Sequence, residues 1–210
     1  MTEDCRDEKF LAEWITRPLV DHAGASGRTG FTEVVHNTLT TLNVMDNLMR
    51  GTLAEAIVAT AIGGELTTEW DAWDINLPLP DDRTVKIEVK CSGDFQSWPQ
   101  KASSVIKWDI AKRRWTTKPD TGEIVELDKA QRMPDLWVFA RHLCTEPHHL
   151  DHWRFWVLTT RQLDTTLGDQ KSITLSSLLH SFPDLPQDGC RESEIRTVVL
   201  KACVRPEQGD

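Results

Sequence analysis

The sequence predicts an α/β fold, a central mixed β-sheet flanked by helices. Three observations carry that expectation: a Pro-free apolar stretch over residues 31–63 with helical spacing, two alternating segments at 73–79 and 85–90 joined by a turn, and further strand-like runs interleaved with short helical pieces. At about 150 residues per domain, 210 residues allow one main domain with an appended segment. The division expected is an N-terminal helical arm and linker over residues 1–30 and a single domain over 31–210.

The elements follow in order. Phe10, Leu11, Trp14 and Ile15 share one face of a short amphipathic helix, and Gly24, Gly27 and Gly30 loosen the chain after it. Residues 31–63 read as two helical pieces. Val34, Val35, Leu39, Leu42, Val44, Met45 and Leu48 supply one apolar stripe, and Leu53, Ala54, Ile57, Val58 and Ala61 continue it to Gly63-Gly64. Thr52 with Glu55 three residues later reads as a capping box. Trp73, Ile75, Leu77 and Leu79 then alternate with polar residues, Pro80-Asp81-Asp82 makes a turn, and Val85, Ile87 and Val89 alternate with Lys86, Glu88 and Lys90, so the pair forms a hairpin. Ser104–Ile110 reads as a third strand, followed by a basic, Thr-rich loop. Leu136–His142 and Trp153–Leu158 are two more strands, Asp164–Leu167 and Leu175–His180 short helices, and Arg196–Val204 a last apolar strand before a fraying tail.

Composition excludes several classes. No apolar run approaches the roughly twenty residues of a membrane span, and the N-terminus reads Met1-Thr2-Glu3-Asp4-Cys5-Arg6, without a secretory h-region. Five scattered Cys with no CxxC pair argue against a disulfide framework and fit reduced thiols in the cytoplasm. Nucleophile-elbow, Walker A and GxGxxG motifs are missing. The nine Trp stand beside no Tyr; Trp73, Trp108, Trp137, Trp153 and Trp156 fall in expected strands, which predicts a Trp-rich core.

The chemistry concentrates at the hairpin. Alternation puts Asp74 and Asn76 on one face of its first strand and Glu88 and Lys90 on one face of its second. Two carboxylates and an amine thus converge. Carboxylate oxygens suit Mg²⁺, which keeps several waters and bridges to phosphate. A Lys on the same face can orient a water or offset charge on a pentacovalent phosphate. A solvated strand face carries Glu-x-Lys as well, so the spacing alone leaves both readings open.

These residues resemble the PD-(D/E)XK nuclease superfamily, the restriction-endonuclease-like enzymes and junction resolvases. Asp74 and Glu88-Val89-Lys90 match its motif with thirteen residues between the two carboxylates; Trp73 stands in place of the motif's Pro. The resemblance implies a core of order α-β-β-β-α-β, which suits residues 50–110, with Asp74, Glu88 and the Val89 carbonyl holding Mg²⁺ (Mn²⁺ able to substitute). It implies that Lys90 acts on the water or the transition state, and that Glu55, on the preceding helix, orients a metal-bound water or the metal. A narrower likeness, to a group of uncharacterised bacterial proteins with this core, extends over roughly residues 50–180 through Trp73-Asp74-Ile75, Ile87–Ser92, Gln96-Ser97-Trp98, Asp135–Ala140, Trp153–Leu158 and Gly168–Ile173. The implied activity is Mg²⁺-dependent hydrolysis of DNA phosphodiesters, an endonuclease in bacterial defence or DNA processing. A catalytically silent DNA- or protein-binding module is the alternative, and a purely structural protein that meets a basic partner through its acidic surface is a third.

Charge distribution bears on the partner. The net charge is −9, yet residues 83–118 hold nine basic and three acidic side chains, +6, which leaves −15 elsewhere. A confined basic segment beside the site is what a phosphate-backbone groove looks like, and an ordinary basic loop looks the same. Gln96, Trp98, Lys101 and Lys107 are the candidate DNA contacts, Trp98 by base stacking. Lys171 and Ser172 are weaker phosphate candidates. The run His148-His149-Leu150-Asp151-His152 has metal-ligand residue types, but no Cys lies at zinc-finger spacing. The expected partner is DNA, with no membrane; a homodimer through the N-terminal helices is a further expectation.

Overall fold

The computed structural model describes residues 47–67, 71–96, 98–118, 121, 123–144 and 149–203. The expected arm over residues 1–30, the first helical piece through residue 46 and the tail beyond residue 203 lie outside the described residues.

Helix α1 spans Asn47–Ile62 and buries Leu53, Ala54, Ile57, Val58 and Ile62, residues three to four apart on one face. It stops at Gly63, whose φ of +73° suits a residue without Cβ. Thr52 lies inside this helix and donates its Oγ1 to the Leu48 carbonyl at 3.2 Å, so the expected capping box with Glu55 does not form. Glu55 sits a further turn down the helix.

Short β1 (Glu65–Leu66), β2 (Ile75–Pro78) and long β3 (Thr84–Gly93) build an antiparallel meander, with Ile75 opposite Ile87 and Leu77 opposite Val85. The hairpin turn closes with Asp82 at φ 61°, a left-handed conformation that Asp tolerates better than most residues. The chain leaves β3, forms β4 (Lys107–Asp109), β5 (Arg113–Thr117) and β6 (Ile124–Gln131), and returns as β7 (Leu136–His142). β7 lies parallel to β3, Glu88 beside Trp137, and β8 (Trp153–Thr159) lies antiparallel to β7. The sheet is therefore mixed, in the order β1-β2-β3-β7-β8. Helix α2 (Thr160–Leu167) begins in a complete capping box, Thr159 with Gln162. Strand β9 (Ser172–Thr174), helix α3 (Leu175–Ser181) and helix α4 (Glu192–Cys203) complete the described chain.

Two apolar cores cover the two faces of the sheet. On one face α1 and α4 pack on Val85, Ile87 and Val89 of β3, Val138 and Ala140 of β7 and Phe155 of β8. On the other, Trp137, Phe139, Trp156 and Leu158 meet Trp108, Ile110, Leu163, Ile173 and Leu178 from β4, α2, β9 and α3. Alternation along β7 and β8 sends successive residues into opposite cores, and this is why both strands read as almost continuously apolar. Trp73, Trp108, Trp137, Trp153 and Trp156 are all buried, as their strand positions predict. Among the described residues no helix is long and apolar enough to cross a membrane.

Three expectations are corrected. The strand at 104–110 does not join the central sheet; β4 pairs with β9 in a separate two-stranded sheet, Trp108 opposite Ile173. The basic, Thr-rich loop is half of a second two-stranded sheet, the β5–β6 ribbon, with Trp115 opposite Glu126. Residues 196–203 are helical: Ile195 and Val199, four apart, are buried against α1, while Glu192 and Glu194 favour the first turn and Arg196 Nη1 donates to the Ile62 carbonyl at 2.6 Å. The Val-rich run read as a strand because β-branched residues favour strands, and tertiary packing overrides that preference.

Phe139 is fully buried, with its ring centroid 5.3 Å from that of Trp108. Phe139→Ala should lower stability by about 3–5 kcal/mol, measured by denaturant unfolding.

Candidate functional site

The site forms where β2 peels away from β3. Ile75 pairs regularly with Ile87. One residue earlier, the Asp74 N–H still donates to the Ile87 carbonyl at 2.9 Å. The next donor on β3, Val89 N–H, goes to the Asp74 side chain, 2.7 Å from Oδ2. A carboxylate thus replaces a strand carbonyl at the point of divergence, and Asp74 is fixed against β3. Alternation along β3 turns Val85, Ile87 and Val89 into the α1–α4 core and leaves Lys86, Glu88 and Lys90 half-buried on the other face.

Asp74, Glu88 and Lys90 line one cleft of about 230 Å³. Arg113 and Trp115 of β5, Gln131 of β6 and Trp137 of β7 also line it, together with Asp71, Ala72, Ala111 and Arg132–Pro134. Lys90 Nζ forms an ion pair with Glu88 Oε1. Lys86 Nζ lies 4.0 Å from the ring centroid of Trp73, which anchors the residue before Asp74.

Burial dominates the electrostatics. It pushes the Glu88 carboxyl up to about 7 against the attraction of Lys90, and the charge of Asp74 pushes the same way. Burial raises Asp74 as well, opposed by the Val89 hydrogen bond and Lys90. Glu55, on α1, is raised to about 7 by burial and by Asp74, opposed by Lys90. For Lys90, burial favours the neutral amine, but the Glu88 and Asp74 charges outweigh it and the ammonium is held more firmly than usual. Three carboxyl groups therefore share the field of Lys90, with Arg113 adding its charge at Glu88.

Among the described residues, no group of three or more His, Cys, Asp and Glu side chains has the arrangement that holds a metal ion. Asp74 and Glu88 offer a pair of hard oxygen donors, each under-neutralised by Lys90 alone. That donor chemistry fits a cation that keeps most of its waters, as Mg²⁺ does, and does not fit a closed N/S-ligated zinc centre.

The other sequence candidates lie elsewhere. Gln96 turns inward: its Oε1 accepts from Arg50 Nη2 at 3.1 Å and its Nε2 donates to Ser104 Oγ at 3.1 Å, so its side chain holds the loop after β3 to α1. Trp98, Lys101 and Lys107 are exposed and none of the three lines the cleft. Lys171 is exposed and Ser172 begins β9 opposite Asp109, both outside the cleft lining.

The residues that sequence reasoning missed are Arg113, Trp115, Gln131 and Trp137. Their signal was present: Pro119-Asp120-Thr121-Gly122 is a turn sequence between two strand-compatible runs. The fold also brings Cys144 to the His run, with Sγ 2.6 Å from His152 Nδ1 and 3.8 Å from His142 Nε2; His148 lies outside the described residues.

No protein-family model matches the chain, and no curated protein matches it. Among solved structures it is similar to a bacterial homing endonuclease, I-Ssp6803I, with 17% identity over 75% of this chain and 95% of that chain, at a TM-score of 0.38.

A folded-state carboxyl raised from 4.5 to about 7 favours folding fully below 4.5, and that contribution is lost as the pH rises through about 7. Glu55→Gln should therefore raise the melting temperature at pH 8 and leave it nearly unchanged at pH 4.5, read from parallel thermal melts.

Proposed function

We propose that this protein is a Mg²⁺-dependent DNA endonuclease of the PD-(D/E)XK type, acting in bacterial defence or DNA processing. The observation that carries the reading is the Val89 N–H to Asp74 Oδ2 bond, which brings a carboxylate from β2 beside Glu88 and Lys90 of β3 in one cleft. Asp74, Glu88 and the Val89 carbonyl are the residues that would hold Mg²⁺. When bound, the ion would supply charge to polarise the phosphoryl group and lower the pKa of a coordinated water.

The chain's own groups divide the remaining work. Hydrolysis forms one bond from a water oxygen to phosphorus and breaks one ester P–O bond; a proton passes from the attacking water to a base, and the leaving alkoxide oxygen takes one from solvent water. Glu55 on α1 lies in the field of Asp74 and Lys90 and is the group that would orient a metal-bound water or the metal. Lys90 keeps its proton, so it serves as a cation that offsets the extra negative charge on phosphorus rather than as a base. Trp137 and the ribbon residues Arg113, Trp115 and Gln131 form part of the cleft wall around these groups.

Asp74→Ala, Glu88→Ala and Lys90→Ala should each reduce metal-dependent plasmid cleavage by at least about 10²-fold, with circular dichroism unchanged. Undiminished cleavage by the Asp74→Ala/Glu88→Ala double variant sinks the assignment. Cleavage by the parent should disappear with EDTA and return with Mg²⁺ or Mn²⁺.

A further inference from the structure

We propose that the β5–β6 ribbon selects unpaired DNA: Trp115 stacks on the base beside the scissile phosphate, and Arg113 contacts an adjoining phosphate. This rests on the nuclease reading above and names its substrate class.

Trp115 is 52% exposed, although the other described Trp residues of the strands are buried. It belongs to neither apolar core, yet it lines the cleft that holds Asp74, Glu88 and Lys90. Trp115 leaves a half-bare indole face in the cleft, and every nucleobase has a π-face that can cover it. Arg113, two residues earlier, lines the same cleft, pairs with Asp109 through one guanidinium nitrogen and is close enough to act on the Glu88 carboxyl. A carboxylate pair, a guanidinium and an indole around one small space match a phosphate with its attached sugar and base.

One feature favours a single strand over a duplex. In a duplex each internal base is covered on both faces by its neighbours, so an indole reaches one only after unstacking, which costs a few kcal/mol.

The test compares the full-length parent chain with Trp115→Ala, Trp115→Phe and Trp98→Ala. Each is titrated without divalent metal against a single strand, a forked duplex and a blunt duplex of one sequence, read by anisotropy and by 2-aminopurine quenching. The parent should bind the single strand and the fork at least roughly tenfold tighter than the blunt duplex. Trp115→Ala should lose roughly tenfold on the unpaired substrates along with the quenching. Trp115→Phe should keep most of both, and Trp98→Ala should match the parent. Equal binding of blunt duplex and single strand, or parent-like stacking by Trp115→Ala, overturns the proposal. If metal-dependent cleavage that needs Asp74 and Glu88 persists in that case, the nuclease reading survives alone. If the parent neither binds nor cleaves any of the three DNAs at low salt, both readings fall.

Discussion

One hydrogen bond organises this molecule's chemistry. Val89 N–H has no backbone partner on β2 once the strands diverge, and a buried amide left unsatisfied is costly. Asp74 supplies the acceptor from its side chain at 2.7 Å. The bond closes the ladder and holds an acidic group beside Glu88 and Lys90. A residue in the position of Asp74 without a short acceptor would leave the amide bare and the cleft without its first carboxylate.

The charges then follow from burial. Three carboxyl groups and one ammonium sit around the point of divergence, so Asp74 and Glu88 titrate against one another, and Glu55 against both. Lys90 cannot neutralise all of them. Such a cluster is tolerated because protons, or a hydrated divalent cation, can supply the missing positive charge. The same imbalance weakens the fold as the pH rises through about 7.

The position of the ribbon is a consequence of strand direction. Because β7 runs parallel to β3, the chain must cross the sheet between Gly93 and Leu136. Here the crossing is made of β4 and the β5–β6 ribbon instead of a helix. It covers the Trp137–Phe139 face and returns to the sheet beside Glu88. Arg132 anchors that return: its buried guanidinium donates to the carbonyls of Ile110 at 2.8 Å and Gln170 at 3.0 Å and pairs with Asp164. Arg113, Trp115 and Gln131 reach the cleft because the crossing ends there.

Local pattern was enough for much of this. The α/β class, α1, the β2–β3 hairpin, β7, β8 and the buried Trp residues were legible because period and turn chemistry act over a few residues. Alternation alone placed Glu88 and Lys90 on one face and Asp74 on the neighbouring strand. It could not show that β4 pairs with β9, that residues 192–203 coil into a helix against α1, or that Gln96 faces inward to Arg50, since each depends on partners far along the chain. Nor could it reveal the 2.7 Å bond that joins Asp74 to β3, the raised carboxyls or the exposed Trp115 facing them. The sequence by itself determined which residue types share a strand face. Tertiary structure alone decided which faces meet and how far water is excluded between them, because burial and long-range pairing are properties of the assembled fold.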